Sequence, residues 1–204
     1  MYNCFMDGIL KSELEQSYLK EKKSSAEIAK VFDCSEHKVN YWIRKHKIKK
    51  RSISEAVYQK RNKDGDPFHI KIISSVGDAK LLGLGLGLYW GEGNKKNKNT
   101  IRLGNTDPGI VNKFIEFLLV ILGAKKDKLR FGLQIFSDMP ADEVLKYWLK
   151  QLSGYGINRS QFFKVTITPA RSIGTYREKS KHGVLTVYFC NVKLKNLLDS
   201  MLPL

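Results

Sequence analysis

Residues 78–93, DAKLLGLGLGLYWGEG, are the most unusual stretch of the chain, and its architecture follows from them. Asp78 stands where a helix N-cap is expected, and Gly83, Gly87 and Gly91 then fall four apart, on one stripe of that helix. An interior glycine costs about 0.8–1 kcal/mol of helix propensity relative to alanine, so with Gly85 included the segment gives up roughly 3–4 kcal/mol. Close backbone contact with another element offsets such a sum, and a small-x-x-x-small stripe admits a second helix at short range. The spacing predicts helix pairing. Nucleotide binding, the usual rival for a glycine-rich run, fails: no G-K-[ST] follows the glycines, and no strand and downstream acid frame them. The run is also well short of the roughly 20 apolar residues that span a bilayer.

Outward from this helix, alternation of polar and apolar residues predicts strands at Thr100–Leu103, Arg130–Ile135, Lys164–Thr168 and Val184–Phe189. Helices rich in large apolar residues lie between them. One carries Phe114, Ile115, Leu118 and Leu122, and another Val144, Tyr147, Trp148 and Leu152. These helices are expected to cover one face of an α+β sheet, leaving Arg102, Arg130, Gln134 and Lys164 on the other. An ordinary solvated sheet surface is the bland reading of that second face.

Read as GLGLYWGEG, Gly85 to Gly93 resembles the LAGLIDADG motif of homing endonucleases and their relatives. It matches at Gly87, Leu88 and Gly93, with Gly91 for the small residue and Glu92 for the terminal acid. The order strand, helix, strand, helix, strand, strand, helix after residue 95 is similar to the αββαββα saddle of that family. The resemblance implies a dimer helix through Gly83, Gly87, Leu88, Gly91 and Gly93, and Glu92 as the catalytic acid and ligand of Mg²⁺ or another divalent cation. It also implies a sheet face that meets double-stranded DNA, with Lys181, Lys164 and Gln134 matching the supporting lysine and glutamine by residue type only. One motif in one chain implies a homodimer acting on a near-palindromic site. The chain departs from the pattern in four places. Glu92 replaces the usual Asp, residues 94–99 are too polar and short for a long first strand, and a helix near Ala141–Leu152 and an insertion Arg171–His182 are extra.

Toward the N-terminus, residues 1–50 resemble a helix-turn-helix. Ser24 and Glu27 form a capping box, Asp33, Cys34 and Ser35 break the helix that follows, and Ser35 is the expected N-cap of a last helix to about His46 that buries Val39, Trp42 and Ile43. Its other face offers Lys38, Asn40, Tyr41, Arg44 and Lys45, the residue types that reach base edges and phosphates when such a helix enters the major groove. A three-helix packing unit with a solvated basic face is the alternative. Residues 51–77 have little periodicity beyond a possible helix at Ser54–Lys60 and are expected to be a partly ordered linker, with residues 78–204 forming the LAGLIDADG-like domain.

Charge points to the partner. The 204 residues hold 36 Lys and Arg against 20 Asp and Glu, a net +16, divided as 15 basic and 10 acidic residues up to Asp66 and 21 and 10 after it. Both parts are basic, so a polyanion is expected. Three scattered cysteines indicate neither a disulfide framework nor a zinc site. A cytoplasmic, nucleoid-associated protein with no membrane partner fits. The function expected is site-specific DNA binding by a homodimeric, metal-dependent homing-type endonuclease that makes a double-strand break. Two rivals share the same surfaces, a catalytically silent LAGLIDADG-type transcriptional regulator and a maturase assisting intron RNA splicing.

Overall fold

The computed structural model describes residues 8–170 and 181–203. Most of the insertion expected at Arg171–His182 lies outside these described residues. The chain divides into two compact units, one ending at Asp66 and the other beginning at Pro67, each with its own core.

The first unit is all-α. A helix α1 (Lys11–Leu14) continues as a wider turn over Glu15–Lys20, followed by α2 (Ser25–Val31) and α3 (Glu36–Lys45). Both later helices start where their caps dictate. Ser24 Oγ accepts from the Glu27 amide at 3.2 Å while Glu27 returns to the Ser24 amide at 2.8 Å, and Ser35 Oγ accepts from the Lys38 amide at 3.2 Å. Asp33 makes the turn between α2 and α3 with φ 45°, a left-handed conformation that Asp tolerates better than most residues. Ile9, Leu14, Tyr18, Ile28, Ala29, Val39, Ile43 and Ile48 form the core, with Phe32 and Trp42 half-buried at its edge.

The segment expected to be a linker is divided between the two units. Residues Ile53–Arg61 form α4, opened by a second capping box at Ser52 and Glu55. Arg51 ties its start to the first unit: the guanidinium lies 4.0 Å from the Tyr18 ring centroid and donates to the carbonyls of Tyr18, Lys22 and Lys23 and to Gln59. On the other side, residues 67–71 pair with the segment 121–125, through the Lys71 amide to the Ile121 carbonyl at 2.8 Å and the Lys125 amide to the Pro67 carbonyl at 2.9 Å. Gly123 is required there. Its φ is 56°, and a Cβ would stand 2.0 Å from the His69 carbonyl oxygen. These attachments come from backbone pairing and one arginine, neither of which leaves a periodic trace in sequence.

The second unit is α+β. Helix α5 (Val76–Glu92) leads to β1 (Thr100–Asn105), α6 (Pro108–Glu116, continuing as a wider turn over Phe117–Ile121), β2 (Arg130–Phe136) and α7 (Ala141–Gln151). Strands β3 (Thr166–Thr168) and β4 (Val184–Cys190) and helix α8 (Val192–Ser200) complete it. The strand order is β1-β4-β2-β3, antiparallel except for the β2–β3 pair. Ile101, Leu103, Phe131, Leu133, Ile135, Leu185, Val187 and Phe189 point into one core with Tyr89, Phe114, Phe117, Trp148 and Leu194. Ahead of β1, the stretch after α5 supplies only a bridge between Gly93 and Leu103 and one bond from the Asn94 amide to the Arg102 carbonyl at 3.0 Å. That edge is abbreviated.

Two local expectations are corrected. The N-cap of α5 is Ser75, whose Oγ accepts from the Asp78 amide at 3.1 Å; Asp78 sits one turn inside and pairs with Lys71 at 2.8 Å, which lowers its pKa. Strand β3 begins at Thr166, so Lys164 precedes it, and Ile167, although on the same face as the inward Ile135, is left uncovered at 57% exposure. As an edge strand of three residues, β3 has a ladder partner on one side only, and the core beside it is already closed by Phe162 stacked on Phe131.

Candidate nucleic-acid interface

Helix α5 has two unlike faces. Gly85 and Tyr89 are buried, and a Cβ on Gly85 would lie 2.1 Å from the Phe117 ring, so α6 packs against bare backbone at that point. Gly83, Gly87 and Gly91 lie on the opposite side, are exposed, and have no atom of a described residue within 4 Å of where a Cβ would stand. Leu84 and Trp90 share this open side at 47% and 51% exposure, and Leu88 is half-buried beside them. Among the described residues, the close helix approach on α5 is therefore at Gly85 and not along the stripe.

The C-terminal end of α5 is held from inside the core. The Tyr89 hydroxyl lies 3.3 Å from both the Asn94 carbonyl and Asp199 Oδ1, and the fully buried Lys195 donates to Asp199 Oδ2. Burial raises the Tyr89 pKa. Burial also disfavours the Lys195 charge, but hydrogen bonds to Asp199 and Tyr89 outweigh it and raise the ammonium's pKa above the ordinary 10.5. Outside, Lys95 Nζ donates to the Trp90 carbonyl at 2.6 Å and so satisfies an orphan acceptor at the helix end. Glu92 is the last helical residue. Its carboxylate is exposed and makes no hydrogen bond or ion pair with a described residue. Glycine at 93 lets the chain leave the helix, because a Cβ there would fall 2.3 Å from the Tyr89 ring. The result is an oxygen donor fixed at its base whose tip no described residue engages.

A divalent ion of the Mg²⁺ kind takes one or two protein carboxylates and completes its shell with waters and substrate phosphates. Among the described residues no group of three His, Cys, Asp or Glu is assembled, so one chain offers the Glu92 carboxylate and no closed cage. That donor set fits only an open site, with the other coordination positions left to water and further donors.

On the sheet, the outward residues form rungs. Arg102, Tyr188 and Arg130 are directly opposite one another across β1, β4 and β2, and the next rung is Gly104, Thr186 and Gly132. Gln134 follows, paired with Val184 and Thr166, with its amide donating to Thr168 Oγ1 at 3.1 Å. Arg130 is half-buried and donates from one nitrogen to the carbonyls of Asp127 and Leu129 at 2.7 and 2.8 Å. Lys164 and Lys181 are exposed but lie outside the strands, ahead of β3 and β4. Thus Arg102, Arg130 and Gln134 share one face as expected, while Tyr188 at its centre was visible only as an outward residue of the last strand.

In the first unit, α3 presents Tyr41, Arg44 and Lys45 to solvent, with Lys45 Nζ 4.4 Å from the Trp42 ring centroid and 5.7 Å from that of Tyr41. Lys38 is half-buried. The Asn40 amide is engaged internally, donating to the Glu36 carbonyl at 3.0 Å and accepting from Ser25 Oγ at 3.2 Å, so it joins α3 to α2. A mid-helix Asn on a polar face looks the same in sequence whether it points outward or braces a neighbouring helix. Lys95, Lys195 and Asp199 were not singled out either, and only the i, i+4 spacing of the last two gave a signal.

The chain matches no protein-family model, no curated protein and no solved structure. No described helix is long and apolar enough to cross a membrane.

Proposed function

We propose that the protein is a homodimeric, site-specific DNA-binding protein of the LAGLIDADG saddle type, and a metal-dependent endonuclease that cuts both strands of its duplex. The observation that carries this reading is the conjunction on α5 of an open glycine stripe with an unpartnered carboxylate at its end. Two copies meeting along Gly83, Gly87 and Gly91 would set two Glu92 carboxylates near one axis, one for each strand of a near-palindromic site. A basic sheet face and the exposed cations of α3 favour phosphate contact at both units.

Within this reading the chain's residues divide the work. Glu92 holds the divalent cation, which supplies water activation and stabilisation of the leaving oxygen when bound. Tyr89, Lys195, Asp199 and Lys95 fix the end of the helix and so the base of the Glu92 side chain. Arg102 and Arg130 offset phosphate charge, and Tyr41, Arg44 and Lys45 add a second grip through the helix-turn-helix.

The test is cleavage. Against a duplex selected from a random library, the full chain with Mg²⁺ is expected to give double-strand breaks, and Glu92→Gln to abolish them with binding unchanged or tighter. Gln keeps the side-chain length and removes the charge that holds the cation. A confirmed high-affinity site left intact with Mg²⁺ and with Mn²⁺ would establish the silent regulator instead.

A further inference from the structure

The outward face of the sheet is unusual for a surface that reads duplex DNA. Its long polar side chains are partly engaged within the protein, Gln134 with Thr168 and Arg130 with two backbone carbonyls. Between them stand two aromatic rings, Tyr188 half-buried and Phe163 exposed. Phe163, 50% exposed, meets Tyr188 edge-on with ring centroids 5.6 Å apart and planes at 70°. The Tyr188 ring rests over Gly132, where a Cβ would stand 3.0 Å from it, and its hydroxyl has no partner among the described residues. Arg102 and Arg130 flank it on the same rung, and a floor of Gly104, Thr186 and Gly132 lies beside it. None of the outward strand residues, Thr100, Arg102, Gly104, Arg130, Gly132, Gln134, Phe136, Thr166, Thr168, Val184, Thr186, Tyr188 and Cys190, is acidic.

Bases in a duplex stack on one another and offer a protein only their edges, so an aromatic face flanked by cations gains little from them. An unpaired base offers its π-face, and the adjoining phosphates suit arginines on either side. We propose that this face is a stacking site for unpaired bases of single-stranded DNA, with Tyr188 as the platform, Phe163 as its wall, and Arg102 and Arg130 on the backbone phosphates. The inference rests on the reading that the sheet meets DNA, and it adds to the phosphate contacts proposed there a place for a base outside the duplex stack. A β-sheet presenting aromatics suits this use because its pleat holds the base of the ring fixed.

The experiment measures affinity of the full chain, by fluorescence anisotropy, for three probes of one sequence: single-stranded DNA, the duplex and single-stranded RNA. A 2-aminopurine in the DNA strand reports stacking by quenching. Wild type and Tyr188→Phe are expected to bind the single-stranded DNA alike and to quench. Tyr188→Leu, which keeps apolar bulk and removes the π-face, is expected to weaken that binding about five- to a hundredfold with duplex affinity unchanged, and Phe163→Leu to weaken it less. Unchanged single-strand affinity in Tyr188→Leu overturns the proposal and leaves duplex binding standing. An equal fall on single strand and duplex also overturns it, because Tyr188 is then a general contact. Tighter wild-type binding to the RNA overturns the assignment to DNA. Loss of duplex binding alone, with Tyr188-dependent single-strand binding retained, sinks the endonuclease reading and supports this one.

Discussion

The two faces of α5 contain the same residue type for opposite physical situations. On the inner face, Gly85 is glycine because the Phe117 ring occupies the space a Cβ would take. On the outer face, Gly83, Gly87 and Gly91 meet nothing within 4 Å. Each outer glycine still costs about 0.8–1 kcal/mol of helix propensity, and no contact among the described residues offsets that cost. Glycine spacing therefore identifies a face without saying whether the contact is intramolecular. The geometry around each Cβ position separates the two cases, and it leaves the outer stripe as the part of α5 that a second copy would complete.

The largest expected effect comes from blocking the outer face. Gly87→Leu places a bulky side chain where two copies are proposed to meet, so both chains are overpacked and dimer affinity falls by more than the roughly 1–3 kcal/mol typical of one tight contact. The folded monomer is expected to be no less stable, and to gain up to about 1 kcal/mol from helix propensity, because the described atoms leave that position open. Sedimentation velocity with thermal unfolding separates these effects. A wild-type protein that stays monomeric at micromolar concentration, or a variant that dimerises normally, would break the comparison at its outer half.

On the inner face, Gly85→Ala forces the added methyl into Phe117 and is expected to destabilise the second unit by about 1–3 kcal/mol, read from the urea midpoint. An unchanged midpoint would mean that α6 gives way without cost, and the two faces would then differ less than the geometry states. Much of this inner arrangement was legible in sequence. The apolar spacing of Phe114, Ile115 and Leu118, and the alternation around Leu185, Val187 and Phe189, placed each on the buried side because helix and strand periods mark burial directly. The capping box at Ser24 and the N-cap at Ser35 were legible for the same local reason. What escaped was non-local: Arg51 bonding three distant carbonyls, residues 67–71 pairing with 121–125, and Asn40 turned toward Ser25. At the candidate site, Glu92 and the glycine stripe were legible as a motif, whereas the cluster beneath them joins Tyr89 to Lys195 and Asp199 across about a hundred residues and leaves no spacing to read.

That cluster gives the closed face a pH signature. Lys195 has a raised pKa in the folded chain, so its contribution is fully present below the unfolded value near 10.5 and is lost as pH rises through the folded value. Tyr89 acts in the same direction: burial raises its pKa, the neutral phenol is favoured in the fold, and the unfolded chain ionises first, above its ordinary 10.0. Stability of the second unit is therefore expected to fall above about pH 10, and Tyr89→Phe to make that fall shallower. Urea midpoints compared across that range check it, and an identical alkaline slope in the variant would remove Tyr89 from the account.

The smallest effect has the most informative sign. Gly87→Ala adds one methyl to the open stripe, and in a monomer it should stabilise the second unit by about 0.8–1 kcal/mol, since alanine loses less backbone entropy in a helix and meets no neighbour there. In a dimer whose helices touch along the stripe, the same methyl lies between two backbones, twice over, and overpacking opposes the gain. The net change then depends on protein concentration, because dimerisation contributes to apparent stability by mass action. Unfolding measured across a wide dilution series distinguishes the two. Stabilisation at every concentration assigns the stripe to solvent, whereas stabilisation on dilution that reverses as the protein is concentrated assigns it to a second copy. Gly85→Ala supplies the control within the same helix, because its clash is internal and its destabilisation should not depend on dilution beyond any change in dimer population shared with the wild type.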